Sequence, residues 1–338
     1  MKAVVQTRPL PISHPESLVD TELPRPEPSE HDLLVEVRAV AVNPVDFKIR
    51  AQREPSHPGA TMVLGWDASG VVTARGSGVA LFEIGDEVYF AGSVQRPGCN
   101  SEFCLVDERI AARKPKRLDF AEAAAIPLTA LTAYEALIEH LSINQAKPGE
   151  RLLIIGGAGG VGSMAIQLAR LRSPLRVIAT ASRPQSMEWA RTLGAHHVID
   201  HRAPLEPQLR ELGATEIEYV FCTSDTDPYF SELVELVAPR GSIAFIVDPK
   251  APLDMRRAQL KSLKICWELM FTRSIFQSRD MIEQHRILTE VARLLDAGGL
   301  RTTLRDRLSP ICATNLREAH ARLEAGRTIG KIVLEGWS

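Results

Sequence analysis

The stretch Arg151-Leu-Leu-Ile-Ile-Gly-Gly-Ala-Gly-Gly-Val-Gly162 decides the fold. An apolar run, Leu152 to Ile155, enters Gly157, Gly159 and Gly162 at G-x-G-x-x-G spacing. The residues that follow read as a helix with Val161, Ala165, Leu168 and Ala169 on one face. Glycines at this spacing allow a tight turn, close backbone approach to a pyrophosphate and close packing of helix on strand. The helix start adds free N–H groups and a positive dipole end. A second apolar strand, Arg176 to Ala181, follows at the distance a βαβ unit requires. The stretch predicts a dinucleotide site, with Gly157, Gly159, Gly160, Val161 and Gly162 against the phosphates.

The residues after that second strand bear on which dinucleotide binds. A carboxylate there suits the ribose hydroxyls of NAD, and a cation suits the additional phosphate of NADP. This chain has Ser182-Arg183-Pro184-Gln185-Ser186 and no acid. Arg183 offers a planar donor fork for phosphate, flanked by the Ser182 and Ser186 hydroxyls. Pro184 fits the first turn of the next helix. NADPH is the expected cofactor; the competing reading makes Arg183 a solvated charge and Ser182 a cap.

Composition is that of an ordinary soluble globular chain: 338 residues, 45% hydrophobic and 24% charged, with room for two domains. A net charge of −2, with dispersed Lys and Arg, leaves no basic field for nucleic acid. No segment reads as a membrane span, and Met1 to Gln6 reads as a first strand rather than a signal peptide. Five cysteines without a pairing pattern suit a reducing compartment, so a cytoplasmic location is expected.

The pattern changes twice along the chain. Up to Leu118, short β-like runs such as Leu33 to Val42, Ala68 to Thr73 and Asp86 to Phe90 are separated by Pro and Gly turns. Residues 119–260 read first as helix and then as alternating strand and helix. The strands are 152–155, 177–180, 197–199, 219–222 and 243–247. Residues 261–338 hold a long helix near Arg279 to Leu295 and end in the strand-like Lys331 to Leu334, completing the first domain. The fold class is α/β: a β-rich domain, 1–118 with 261–338, and a Rossmann doubly wound parallel sheet, 119–260.

Several ordered landmarks carry a family resemblance. They are Asn43-Pro-Val-Asp-Phe-Lys-Ile-Arg50, Leu64-Gly-Trp-Asp-Ala-Ser-Gly-Val-Val72, Gly85-Asp86, Ala125-Ile-Pro-Leu-Thr-Ala-Leu-Thr-Ala-Tyr-Glu135, the glycine motif, and Gly330-Lys-Ile-Val-Leu334. Together they resemble the medium-chain dehydrogenase/reductase superfamily over essentially the whole length, and within it the quinone oxidoreductase branch. Trp66-Asp67, Ser182-Arg-Pro and Trp267 to Arg273 look like the bacterial zinc-type alcohol dehydrogenase-like group. The resemblance implies that the β-rich domain is GroES-like. It also implies a homodimer through the nucleotide domain's last strand, which the apolar Ile243 to Val247 run permits.

The resemblance also locates the chemistry. Zinc-binding members use a Cys where this chain has Asn43, and a His-Glu pair where it has Trp66-Asp67; only Cys99 and Cys104 remain in the structural-zinc region. A catalytic zinc needs about three such ligands, so no metal is expected. Without a metal to hold an alkoxide, the expected substrates are quinones or α,β-unsaturated carbonyls, which accept hydride once positioned beside the nicotinamide. By resemblance Asn43 donates to a substrate carbonyl and Thr129 contacts the nicotinamide or its ribose; a turn residue and a helix cap are the competing readings. Lys48 stands where some quinone reductases have a tyrosine, and either donates to substrate oxygen or pairs with Asp46. Cys222 and Thr223 are expected beside the adenosine, Ile246 and Val247 beside the carboxamide, and Lys331 within reach of the cofactor. The alternatives are a zinc alcohol dehydrogenase and an NADPH-binding sensor or structural protein without turnover.

Overall fold

The structure, a computed structural model, describes residues 1–57 and 59–337. Two compact units emerge, one formed by Met1–Leu128 with Phe271–Ser338 and the other by Thr129–Met270. Both boundaries lie ten residues beyond those expected from the sequence. The first strands are β1 (Lys2–Gln6), β2 (Val19–Glu22), β3 (Asp32–Ala41), β4 (Met62–Val63), β5 (Asp67–Arg75), β6 (Glu87–Phe90), β7 (Phe103–Asp107) and β8 (Ala111–Arg113). The second unit contributes β9 (Arg151–Ile155), β10 (Arg176–Thr180), β11 (His197–Ile199), β12 (Ile217–Cys222), β13 (Val237–Phe245) and β14 (Lys264–Trp267). The chain then returns with β15 (Leu304–Leu308) and β16 (Lys331–Glu335).

In the first unit, β3 is the long central strand, pairing β5, β7 and β16 within a sheet ordered β15-β16-β3-β5-β6-β8. Leu33, Val35, Val37, Ala39 and Ala41 are all buried. Two registers position the polar site described below. Val333 of β16 lies opposite Ala41 of β3, in an antiparallel pairing that brings Lys331 towards Asn43. Asp67, the first residue of β5, lies opposite Ala41 on the other side. The same end of three neighbouring strands therefore gathers residues far apart in sequence. A helix, α1 (Pro44–Gln52), starts there with Pro44 in its first turn, where a missing N–H costs nothing.

The second unit is a six-stranded parallel sheet ordered β11-β10-β9-β12-β13-β14. This is the doubly wound order, and its switch point lies between β9 and β12, where ligands bind outside the carboxyl ends of the strands. The strands are nearly all buried, with Leu153, Ile155, Ile178, Val220, Ile243 and Phe245 in one core cluster. The sixth strand, β14, was not expected. Its sequence Lys-Ile-Cys-Trp lacks a long apolar run because, as an edge strand, it is only half buried. β13 is flanked on both sides, so the free edge belongs to β14 rather than to the Ile243–Val247 run.

One expectation about membranes needs correction. The helical run Phe120–His140 is long and apolar enough by composition to cross a bilayer, but 83% of its apolar window is buried inside the protein, as in a core helix.

A candidate dinucleotide loop and a buried polar cluster

At the end of β9 the chain turns through Gly156, whose φ of +81° is a conformation that favours glycine. A Cβ on Gly157 would stand 2.7 Å from the Ala179 Cβ, and one on Gly162 would stand 2.3 Å from the Gly156 carbonyl oxygen. Those two glycines are required by close packing of the helix Gly160–Arg172 against the turn. Gly159 differs. A Cβ there meets nothing closer than 3.5 Å, so the fold itself tolerates one and its absence leaves backbone open. Gly159, Gly160 and Val161 are half-buried at the helix start, where first-turn N–H groups lack helical acceptors. The loop is braced from β10 and β12: Gly156 N donates to Thr180 Oγ1 at 3.0 Å, Gly157 N to Thr180 O at 3.0 Å, and Thr223 Oγ1 to Ile155 O at 2.7 Å.

After β10, Ser182 and Arg183 are half-buried at the carboxyl end of the sheet, as the phosphate reading needs. Ser186 has another task. Its hydroxyl accepts from Arg183 N at 3.1 Å and donates to Arg183 O at 2.9 Å, so it caps the helix Pro184–Thr192 and has no proton left for phosphate. Thr223 lies beside the loop, yet its hydroxyl proton is committed to the β9 carbonyl. Cys222 is fully buried, and burial pushes its thiol up to about 12, which keeps it un-ionised. Ile246 and Val247 follow β13, and the Val247 carbonyl already accepts from Trp267 Nε1 at 3.2 Å and from Thr226 Oγ1. Thr129 is buried, near the start of the helix Pro127–Tyr134.

The first unit holds a polar cluster of Asn43, Asp46, Asp67 and Lys331, each no more than 3% exposed. The Lys331 ammonium donates to Asn43 Oδ1, to Asp67 Oδ2 at 2.9 Å and to the Val42 carbonyl at 3.1 Å. Asn43 Nδ2 donates to Asp67 Oδ2 at 3.1 Å and Ala41 O at 3.3 Å. Asp67 Oδ1 accepts from Leu128 N at 3.1 Å, and Asp46 Oδ2 from Asn43 N at 2.8 Å. Burial raises the Asp67 carboxyl above its ordinary range, opposed chiefly by Lys331. Burial likewise raises Asp46 to about 7, opposed by the Asn43 N–H and by Lys331.

Three expectations change here. Both Asn43 amide protons are used inside the cluster, so this arrangement offers none to a substrate. Lys331 faces Asn43 and Asp67 and has all three donors engaged, so it is not free to reach the cofactor. Lys48, half-buried on α1, makes no ion pair with Asp46, whose side chain turns inward to the Asn43 backbone. The cluster itself was missed, although Asp46 three residues after Asn43 has the spacing of a helix N-terminal cap.

The donor set does not suit a catalytic zinc. It comprises an amide and one carboxylate already engaged by an ammonium, with the Asp46 carboxyl turned to the Asn43 N–H. Trp66 presents an indole, and its Nε1 donates to Arg96 O at 3.1 Å. The nearby Cys99 thiol is held well above its ordinary range by burial, then by Cys104 and by the Asp67 and Asp46 carboxylates. Among the described residues no three His, Cys, Asp or Glu side chains converge as a metal site. Trp66 also walls a cavity of about 440 Å³ within this unit, together with Met62, Val94, Phe103 and Cys104, with Arg53 and Arg96 at its polar side.

Comparison with known proteins adds family evidence. Residues 29–116 match the alcohol dehydrogenase GroES-like domain, and residues 193–334 match the zinc-binding dehydrogenase family. A zinc-type alcohol dehydrogenase-like protein of Staphylococcus aureus is 40% identical over 313 residues, 92% of each chain. A 2-methylene-furan-3-one reductase of Solanum lycopersicum is 30% identical, covering 91% of this chain and 73% of its own. A solved structure from Rhizobium etli CFN 42, provisionally called a zinc-dependent alcohol dehydrogenase, is 53% identical with a TM-score of 0.96, covering 100% of this chain and 98% of its own. A mycobacterial protein solved in complex with NADPH is 26% identical with a TM-score of 0.85, covering 99% and 100%.

Proposed function

Because this chain belongs to the medium-chain dehydrogenase/reductases, as a quinone oxidoreductase-like oxidoreductase, we propose that it transfers hydride from NADPH to a quinone or α,β-unsaturated carbonyl without zinc. The observation that carries this reading is the Lys331 ammonium bound by Asn43 and Asp67, the region where zinc-binding relatives hold their metal. Without a Lewis acid for an alkoxide, the acceptor must already be electron-poor. The half-buried Ser182-Arg183 pair supports NADPH over NADH, and the relative solved with NADPH agrees. When bound, the nicotinamide supplies the hydride. The chain's own part is to cradle the phosphates at Gly159, Gly160 and Val161 and to hold the cofactor's 2′-phosphate at Arg183.

Five free cysteines fit a cytoplasmic location. A homodimer would use the β14 edge, where Trp267 and Leu269 are 40% and 52% exposed. A second reading, NADPH binding without turnover, draws on one observation: the Asn43 amide has no proton to offer a substrate. NADPH oxidation by chelator-treated protein against a panel of quinones and enones tests these readings. Turnover unaffected by added zinc supports the oxidoreductase. Turnover only with zinc overturns metal independence, and tight NADPH binding with no turnover favours the second reading.

A further inference from the structure

The Lys331 ammonium is surrounded in the way a small inorganic cation would be. Three oxygens meet it, Asn43 Oδ1, Asp67 Oδ2 and the Val42 carbonyl, one for each of its protons. Its side chain is 4% exposed and that of Asp67 is 0%. Carboxylate, amide and backbone carbonyl oxygens are the donors that hard cations take. The cage is rigid: Leu128 N fixes Asp67, Ala41 O fixes Asn43, and the Asn43 N–H fixes Asp46. Asp46 Oδ1 is buried with no hydrogen-bond partner, so the cage contains more acceptor capacity than the ammonium and backbone satisfy.

We propose that Lys331 is a tethered cation. Carried in on strand β16, it fills an oxygen-lined cation position and orients the Asn43 amide and Asp67 carboxylate that an inorganic ion would otherwise organise. Lys331 is thus a positioning residue, and its covalent attachment makes a dissociable metal unnecessary. The inference extends the metal-independent reading above, but its test needs neither NADPH nor substrate, so failure of one does not entail failure of the other.

Lys331→Ala removes the cation and leaves two carboxylates around a small cavity. Thermal unfolding of the full-length protein is followed in sodium chloride, methylammonium chloride or manganese(II) chloride at matched ionic strength, with tetramethylammonium as a cation too large to enter. Lys331→Ala is expected to melt roughly 10 °C below wild type in sodium chloride, as for a broken buried ion pair. It should recover at least about half of that loss in methylammonium or Mn²⁺. Wild type should respond to neither, and Mn²⁺ titration followed by electron paramagnetic resonance should show about one tight ion on the variant and none on wild type. Lack of recovery beyond sodium and tetramethylammonium chloride overturns the proposal, as does stoichiometric Mn²⁺ binding at this site in wild type. If Lys331→Ala does not fold, Asp46→Asn/Lys331→Ala, with one carboxylate fewer, carries the same methylammonium readout, and its stabilisation or lack of it decides in the same way.

Discussion

The glycine loop and the Lys331 cluster are both polar sites set in apolar surroundings, but they are built in opposite ways. The loop draws its groups from consecutive residues: Gly159 N donates to Gly156 O at 3.1 Å, while the first-turn N–H groups that follow are those a helix start leaves open for a guest. The cluster draws side chains from positions 43, 46, 67 and 331, and nearly all of their donors and acceptors meet one another. An open site needs room and a favourable field. A closed one needs charge balance and complete hydrogen bonding, because an unmatched buried charge is expensive. Damage to the cluster should therefore appear in stability, and damage to the loop in cofactor affinity.

The largest effect is expected from Lys331→Met, which strands Asp67 without its cation. A loss of about 3–5 kcal/mol in urea unfolding is expected, and Asp67→Asn/Lys331→Met, which removes both charges, should regain most of it. Equal losses in the single and double variants would mean that the pair contributes packing and not charge balance.

Asp46 comes next. Its carboxyl stands at about 7 in the fold, against an ordinary value of 3.8. Between these values the folded state holds the proton more often than the unfolded chain, so stability falls as pH rises from about 4 to about 7 and stays low above that. The full span amounts to roughly 4 kcal/mol. Asp46→Asn should flatten this dependence while keeping an acceptor for the Asn43 N–H. Comparing urea midpoints of both proteins at pH 5 and pH 8 checks the sign; parallel profiles would discard the assignment.

In the loop, Gly162→Ala drives a Cβ into the Gly156 carbonyl, and NADPH affinity should fall more than about 100-fold, or roughly 3 kcal/mol. Gly159→Ala has space within the fold and should melt like wild type, yet bind NADPH at least about tenfold more weakly. Calorimetry and thermal unfolding on the same samples separate the two glycines. If Gly159→Ala left affinity untouched, the phosphates would lie elsewhere.

The smallest expected effect is the most selective. Arg183→Ala should raise the KM for NADPH about 10–100-fold, the size of a lost charge-assisted contact, and change the KM for NADH little. Equal changes for both cofactors would remove Arg183 from phosphate recognition.

Much of the second unit was legible beforehand because its signals are local. Glycine spacing, apolar strand runs and the missing acid after β10 each lie within a few residues, and five of six strands followed from them. β14 escaped because an edge strand buries too little to show an apolar run. Ser186 was legible as a hydroxyl beside a phosphate site and Thr223 as a neighbour of the adenosine. Their protons are used by helix capping and strand bracing, which depends on backbone geometry and not on residue type.

By itself the sequence determined where a glycine-rich strand–turn–helix starts, and that two metal-ligand positions of zinc-binding relatives carry Asn43 and Trp66. Those conclusions rest on residue chemistry and short spacing, which any chain reports along its length. Only the tertiary structure decided where Lys331 points, that Asn43 has no proton to offer, and that Asp46 is pushed up to about 7. Strand register does this: pairing β16 and β5 on either side of β3 brings positions 43, 67 and 331 to one buried end. Burial there sets the cost of every charge, and that cost depends on neighbours which linear order does not reveal.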